Sequence, residues 1–145
     1  MTHVIFEAAL QRKTANVPGP VDTLHDFVFT PDVAKVVAAL FEKPEAFGTA
    51  YNFAGPRTIT IREFAAKVYA AAGMPQPRIR PAGKMMLRFA GLFSPLLHEL
   101  VEMSYLQETP VILNDARLSL VLPELQKTSY DEGITQTIEW YRRKQ

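Results

Sequence analysis

The feature that most constrains the fold of this chain is the alternation of short apolar strands with capped, amphipathic helices. Two segments begin with a hydroxyl residue followed three positions later by glutamate, Thr60 to Glu63 and Ser129 to Glu132. In this capping-box pattern the two side chains satisfy free amides at the start of a helix. Apolar residues recur at helical spacing after each box. The sequence therefore predicts one helix from Thr60 to Ala72 and another that begins at Ser129.

The remaining pattern predicts a mixed order of helices and strands. Thr30 and Pro31 are typical of a helix start, a hydroxyl cap followed by proline at the first helical position. The apolar runs 26–30 and 48–53 are expected to be strands on either side of that helix, and such strands favour parallel pairing. We therefore expect a single α/β domain over residues 1–145. Further helices are expected at 3–13, 84–93, 95–107 and 114–122, and further strands at 76–80 and 110–113.

Two further local patterns predict a helix end and a buried helix face. Residues 16–20, Asn-Val-Pro-Gly-Pro, are expected to end the first helix. The helix after Thr30 is expected to bury one face. The residues at helical spacing on that face are Val33, Val36, Val37, Leu40 and Phe41.

The composition limits the class of protein. The 145 residues match a common domain size, and 48% hydrophobic residues can form a core. Sixteen basic and fifteen acidic residues give a net charge of +1, without the concentrated basic face that nucleic-acid binding needs. The basic run 142–144 is expected to be a cationic last helical turn. We therefore expect no nucleic-acid partner.

Cysteine usage and hydropathy bear on the environment of the chain. The sequence has no cysteine, which excludes disulfides, thiolate metal sites and cysteine nucleophiles and fits the cytoplasm. No apolar run approaches the roughly 20 residues that span a bilayer. The first residues also lack a signal-peptide pattern. We expect a cytoplasmic protein without a membrane partner.

Three segments resemble a known family in the same order and spacing. Residues 25–34 are similar to a strand reading Arg-Asp-Phe-Val-His-Val that leads into a helix beginning Asp-Val-Ala. Residues 51–55, Tyr-Asn-Phe-Ala-Gly, resemble a strand reading Tyr-Asn-Leu-Gly, and residues 133–141 resemble a last helix reading Gly-Ile-x-x-Thr-Val-x-Trp-Tyr. These are motifs of the extended short-chain dehydrogenase/reductases, the NAD-dependent epimerase/dehydratase family. The resemblance covers nearly the whole chain.

The resemblance implies the C-terminal, substrate-binding portion of such an enzyme. In the family, an N-terminal Rossmann portion binds NAD or NADP and holds a catalytic Tyr-x-x-x-Lys pair. The substrate is often a nucleotide-linked sugar. The resemblance therefore implies a truncated product or a fragment with a Rossmann-like α/β fold, whose cofactor and small-molecule substrate belong to the complete enzyme.

The sequence itself lacks the catalytic and cofactor-binding parts. No Gly-x-Gly or Gly-x-x-Gly-x-x-Gly brings backbone amides to a pyrophosphate. The residues four positions after the five tyrosines are Gly55, Gly73, Thr109, Ile134 and Gln145, so there is no Tyr-x-x-x-Lys pair. No Gly-x-Ser-x-Gly elbow supports serine hydrolase chemistry either. We therefore predict no catalytic and no cofactor-binding residue in this chain.

The resemblance makes His25, Phe27 and Asn52 the candidate substrate-binding residues. His25 stands where sugar-nucleotide enzymes of the family often have an arginine that contacts the diphosphate. A histidine is largely neutral near pH 7 and cannot form the bidentate fork of arginine. A UDP-sugar is therefore a less favoured substrate than in a typical member.

Each candidate has a structural alternative. His25 could be a hydrogen-bonded histidine at a strand start, and Asn52 is more simply interpreted as a structural amide. His98 and Glu102 share a helix face, but no third ligand accompanies them, so no metal site is predicted. Asp32 and Asp115 are expected to stabilise helix starts by their charge. A methionine and phenylalanine stripe, Met85, Met86, Phe89 and Phe93, is expected to be core.

Two main functional hypotheses follow, one an enzyme part and one a binding module. The first is a substrate-binding portion that is inactive alone. The second is a stand-alone module that associates with further copies, since strands 26–30 and 49–53 would leave exposed edges. A third, less favoured, is a small enzyme that uses an unrecognised site around His25.

Overall fold

Helices and short strands alternate along the chain in the computed structural model, which describes residues 2–82 and 109–144. The helices are α1 (Thr2–Leu10), α2 (Thr30–Phe41), α3 (Ile61–Ala71), α4 (Ala116–Val121) and α5 (Tyr130–Arg143). The strands are β1 (Ala15–Pro18), β2 (Leu24–His25), β3 (Ile59–Thr60) and β4 (Ile79–Ala82), and a 3-10 helix spans Pro44–Ala46. The α/β class is confirmed. The expected helices 84–93 and 95–107, the methionine stripe and the His98–Glu102 pair lie outside the described residues.

The strands form two small sheets of opposite type. β1 pairs in parallel with β4, from Ala15 opposite Ile79 to Pro18 opposite Ala82. β2 pairs antiparallel with β3, and a single parallel bridge joins His25 to Val111. The sequence analysis missed β1 because the prolines and glycine of residues 16–20 resemble a helix terminator. The strand forms because its alternate residues Ala15 and Val17 are fully buried.

The main core lies where α1, β1, α3 and α5 meet. α3 contributes Phe64, Val68 and Tyr69, and α5 contributes Ile134 and Ile138, all buried. In α1 the buried residues are Ile5, Phe6, Ala8 and Ala9, whereas Val4 is 41% exposed. This cluster fixes the relative positions of the helices that flank the candidate site.

The two predicted caps differ in detail. In α3 the capping box is complete, since Thr60 Oγ1 accepts the Glu63 amide at 3.1 Å and the Glu63 carboxylate accepts the Thr60 amide at 3.0 Å. At α5, Ser129 Oγ accepts the Glu132 amide at 3.2 Å, but the Glu132 carboxylate accepts Gln136 Nε2 instead. Both helices begin where the sequence predicts, and only the first uses both side chains.

The predicted strands 26–30 and 48–53 are wrong as strands of this structure. β2 ends at His25, and residues 26–29 form a connection without a ladder partner. Residues 49–55 are neither strand nor helix. Apolar alternation favours a strand only when a neighbour supplies hydrogen bonds, and the described part of the chain supplies none to residues 49–53. The expected strand 110–113 is likewise reduced to the Val111 bridge.

The helix starts of α2 and α4 also differ from expectation. α2 begins at Thr30 itself, with Phe29 as an N-cap residue that makes no side-chain cap. Its buried residues are Asp32 and Val36, whereas Val37 and Phe41 face outward. At α4, Asp115 occupies the cap position, but Asn114 Oδ1 accepts the Ala116 amide at 2.9 Å.

A second, smaller core lies between α2 and α4. Its buried residues are Val36, Leu118 and Leu122. Partly buried residues around them include Leu40, Tyr51 and Phe53. Within residues 2–82 and 109–144, none of the helices has the length and apolarity needed to cross a bilayer.

Candidate functional site

Residues 26–29 connect β2 to α2. They include Phe27 and directly follow His25, two of the site residues predicted from the sequence. We call residues 26–29 the junction segment. Its Asp26 carboxylate accepts the Leu113 amide at 2.8 Å, which fastens the 109–115 segment to it. The Phe27 ring stacks on Phe64 of α3 at 4.6 Å between centroids. The junction segment is therefore anchored on both sides although it belongs to no sheet.

Tyr130, the first residue of α5, locks the junction segment from the other side. Its hydroxyl donates to the Arg57 carbonyl at 2.5 Å and accepts the Phe27 amide at 3.4 Å. Burial raises the pKa of this hydroxyl, so it stays protonated and can donate. The sequence analysis did not single out Tyr130, because nothing in its local pattern shows that it reaches two distant loops.

Gly55 is the point of closest approach in this region. A Cβ atom there would collide with the Phe27 carbonyl oxygen and would lie 2.9 Å from the Tyr130 hydroxyl oxygen. Because the Phe27 neighbour is backbone, it cannot turn aside as a side chain can. The residue after Ala54 is therefore restricted to glycine by packing.

A partly buried ion pair fixes the loop that contains Gly55. Asp115 Oδ2 lies 2.5 Å from Lys127 Nζ and accepts the Ala54 amide at 3.3 Å. Lys127 also donates to the Gly55 carbonyl at 3.3 Å. Burial opposes ionisation of Asp115, but Lys127 and the Ala54 amide outweigh it and hold the pKa of this carboxyl below its ordinary value. Asp115 thus fastens a loop, a larger role than the expected charge at a helix start.

His25 lies in β2, paired with Ile59 and bridged to Val111. Its ring is 6.1 Å from the Phe27 ring, and its Nε2 atom is buried without a hydrogen-bond partner among the residues that the structure describes. Burial lowers the pKa of the imidazole. The side chain is therefore neutral near pH 7. It ends a strand, and within the described residues its Nε2 atom does not make the hydrogen bond of the simpler interpretation.

Asn52 lies at the surface and donates from Nδ2 to the Asn114 carbonyl at 3.3 Å. This bond agrees with the interpretation of Asn52 as a structural amide. The structure brings His25 and Phe27 together, and within the described residues the 109–115 segment joins Asn52 to them through Val111, Leu113 and Asn114.

An open groove of about 1020 Å³ runs between the junction segment, α5 and the start of α1. Of the three candidate residues, only Phe27 lines it. Its aromatic wall includes Phe6, Phe29, Phe64, Tyr130, Trp140 and Tyr141. An aromatic wall with a polar rim can bind a planar ring by stacking and apolar contact.

The described side chains provide little for catalysis. No three His, Cys, Asp or Glu residues in the described ranges stand close enough to hold a metal ion. Burial raises the pKa values of Tyr69, Tyr130 and Tyr141, the direction opposite to that of a tyrosinate base. These three tyrosines are therefore poorly suited to act as a general base.

Comparison with known proteins identifies the fold. No protein-family model and no curated protein sequence matches the chain. Among solved structures, an epimerase from Methanothermobacter thermautotrophicus superposes with a TM-score of 0.71 at 17% identity, covering 96% of this chain and 36% of that one. UDP-glucuronic acid 4-epimerase from Bacillus cereus, in complex with NAD, gives 0.69 at 15% identity, covering 97% and 37%. dTDP-glucose 4,6-dehydratase from Bacillus anthracis, also with NAD, gives 0.67 at 15% identity, covering 96% and 38%.

The chain has the fold of a part of the NAD-dependent epimerases and dehydratases. Nearly all of it superposes, yet it spans little more than a third of the length of these structures, 36–38%. The resemblance expected from residues 25–34, 51–55 and 133–141 is thus confirmed at the level of fold. At 15–17% identity, the match does not extend to activity or substrate.

Proposed function

We propose that this chain, as a single unit over residues 1–145, is the C-terminal, substrate-binding portion of an NAD-dependent epimerase/dehydratase-like oxidoreductase. The observation that supports this most is the match over 96–97% of the chain to 36–38% of three such enzymes. A match of this kind fits one portion of a larger enzyme.

Dinucleotide binding and hydride transfer then belong to another portion. The sequence has neither a glycine-rich phosphate loop nor a Tyr-x-x-x-Lys pair. The raised pKa values of three tyrosines support the same division of labour. The chain alone should neither bind NAD tightly nor reduce it, and the absence of cysteine supports a cytoplasmic location.

The substrate class we propose is a sugar nucleotide. The structural neighbours include enzymes whose names specify UDP-glucuronic acid, dTDP-glucose and UDP-glucose. Phe27 supplies an aromatic surface, His25 a ring nitrogen without a described partner, and Asn52 an exposed amide. Because neutral His25 replaces a diphosphate-binding arginine, affinity for UDP-sugars should be weak in the isolated chain.

The test is a titration followed by amide chemical shifts, with UDP-glucose, dTDP-glucose and NAD as separate ligands. We expect shifts in residues 24–29 and 52–55 with a sugar nucleotide and none with NAD. Reduction of NAD by the isolated chain, or no response to either sugar nucleotide at millimolar concentration, would contradict the proposal.

The substitution His25→Arg sharpens this test. A bidentate, charge-assisted contact contributes about 1.5–3 kcal/mol, so the affinity for UDP-glucose should rise by about tenfold or more. Leu24→Arg adds the same charge one residue earlier in β2, on the opposite side of the strand. If Leu24→Arg raises the affinity equally, His25 is not a diphosphate position.

A stand-alone binding module that forms oligomers is the second candidate. The observation that favours it is a set of large apolar side chains left exposed on α2 and the turn after it. Mixing the chain with a complementary nucleotide-binding portion separates the two candidates, because only an enzyme portion gains oxidoreductase activity.

A further inference from the structure

Residues 109–115, which we call the crossing segment, are held to the junction segment and the strand before it at two points. The Asp26 carboxylate accepts the Leu113 amide at 2.8 Å. Val111 forms a parallel bridge with His25 that does not continue into a ladder within the described ranges. A hydrogen bond to an ionised carboxylate is stronger than one between neutral groups. Asp26 is therefore the main attachment of the crossing segment on this side.

The other end of the crossing segment orients Asn52. Asn114 directly follows Leu113, and its carbonyl oxygen accepts the Asn52 Nδ2 donor at 3.3 Å. An asparagine side chain has two N–H donors and a carbonyl acceptor, and this bond uses one donor. Asn52 is exposed, so the remaining donor and the acceptor can meet a ligand. The direction in which they point depends on the position of the crossing segment.

Asp26 also acts on the opposite wall of the site. Burial raises the pKa of the Tyr130 hydroxyl, and the negative charge of Asp26 adds to this effect. The protonated hydroxyl donates to the Arg57 carbonyl and accepts the Phe27 amide. Asp26 is partly buried and lines the groove. A single carboxylate thus influences the groups on both sides of Phe27.

We propose that Asp26 is a positioning residue of the candidate substrate site. It fixes the crossing segment, which in turn sets the direction of the Asn52 amide relative to His25 and Phe27. A carboxylate repels the diphosphate of a sugar nucleotide, so Asp26 acts through Asn52 and not by contact with that group. The inference rests on the proposed function for its ligand, whereas the contacts of Asp26 do not depend on that function.

The chemical shifts of the Asn52 side-chain amide test this coupling without a ligand. In Asp26→Ala we expect the Nδ2 protons to shift towards the values of a free asparagine, because the Leu113 amide has lost its acceptor. Asp26→Asn keeps an oxygen acceptor and should restore the shifts of the unaltered chain. Asp22→Ala is the matched control, since Asp22 is an exposed carboxylate shortly before β2 that pairs with Arg62.

A double-mutant cycle on the affinity for UDP-glucose gives a result that a purely structural role would not produce. If Asp26 acts through Asn52, Asp26→Ala should weaken binding by about threefold or more in the unaltered chain, but by less than about twofold in Asn52→Ala. Urea denaturation of each variant shows whether it is folded. If Asp26→Ala does not fold, Leu113→Pro removes the donor of the same hydrogen bond and takes its place in both measurements.

Two results would overturn the positioning role. One is an unchanged set of Asn52 shifts in the folded variant that lacks the bond between Asp26 and Leu113. The other is an equal loss of affinity with and without the Asn52 side chain. Failure of the unaltered chain to bind either sugar nucleotide contradicts the proposed function instead, and the Asn52 shifts then decide whether Asp26 positions the amide.

Discussion

Asp32 accepts two hydrogen bonds from Thr128, one from its backbone amide at 2.7 Å and one from its hydroxyl at 2.9 Å. These bonds tie the first turn of α2 to the residue that precedes the Ser129 cap of α5. Asp32 is only 2% exposed, and Lys35 Nζ lies 3.1 Å from the same carboxylate. A residue expected to stabilise one helix start therefore joins two helices that border the groove.

Replacing Asp32 with asparagine should destabilise the fold. The amide keeps the size of the side chain but has one acceptor oxygen where the carboxylate uses two for Thr128 and Lys35, and it loses the charge opposite Lys35. We expect a loss of about 1–3 kcal/mol in the free energy of unfolding, measured by urea denaturation. Asp131→Asn is the control, because its ion pair with Lys67 is exposed and should contribute less than about 1 kcal/mol. Equal effects of the two substitutions would contradict this role for Asp32.

Acid should remove the contribution of Asp32. Burial raises the pKa of this carboxyl, but the bonds from Thr128 and Lys35 outweigh burial and hold its pKa below the ordinary 3.8. A lowered folded-state pKa means that the stabilisation is complete above the unfolded-state value and disappears as pH falls through the folded-state value. The free energy of unfolding, measured by urea denaturation at intervals between pH 6 and pH 2.5, should therefore decrease more steeply with falling pH below about pH 4. Asp32→Asn should lose less stability over this range.

His25 should give a separate pH effect at higher pH. Burial lowers the pKa of its imidazole from the ordinary 6.5, so the unfolded chain binds the proton more readily than the folded chain. Stability is then complete above pH 6.5 and decreases as pH falls towards the folded-state pKa. In His25→Gln, the free energy of unfolding should decrease less between pH 7.5 and pH 5 than in the unaltered chain. His3→Gln, at an exposed position, is the control for effects of other histidines. An unchanged slope in His25→Gln would show that His25 does not cause it.

Tyr130→Phe should loosen the junction segment. The substitution removes only the hydroxyl that bonds the Arg57 carbonyl and the Phe27 amide. We expect a loss of about 1–2 kcal/mol and faster hydrogen exchange at the Phe27 amide. Tyr141→Phe removes an exposed bond to His3 and serves as the control, with a smaller loss. A Phe27 amide equally protected in both variants would argue against the lock.

Alanine at Gly55 and at Gly133 should give different results. At Gly55 the new methyl group meets the Phe27 carbonyl oxygen, which is backbone, so a loss of about 1–3 kcal/mol is expected. At Gly133 it meets the Phe29 ring at 3.2 Å, which can shift, while α5 gains about 0.5–1 kcal/mol from losing an interior glycine. Thermal denaturation should therefore show a large decrease in midpoint for Gly55→Ala and little change for Gly133→Ala.

Local signals predicted the helices better than the strands. The boxes at Thr60 and Ser129 located α3 and α5 because a helix satisfies its own backbone and its cap lies within four residues. β1 was missed and residues 48–53 were wrongly assigned because pairing depends on a partner far along the chain, such as Ile79 for Ala15.

The candidate site was predicted only in part. The resemblance pointed to Phe27, which lines the groove, and to His25 beside it. Tyr130, Gly55 and Lys127 act through contacts across 72–103 positions of sequence, which no local pattern reveals. The substrate roles of His25, Phe27 and Asn52 stay predictions.

The contact between α1 and α5 also shapes how this chain folds. His3 Nδ1 and the Tyr141 hydroxyl are hydrogen-bonded across 138 positions, and Phe6 stacks on Tyr141 with centroids 5.9 Å apart. β1 and β4 also pair across a long stretch, 64 positions from Ala15 to Ile79. Closing the loop between two distant segments costs conformational entropy before the contact buries apolar surface. We therefore expect the rate-limiting step of folding to be the meeting of distant segments. During synthesis, the apolar faces of α1 and β1 should stay exposed to solvent until α5 has been synthesised. In that interval, chaperone binding can compete with misfolding.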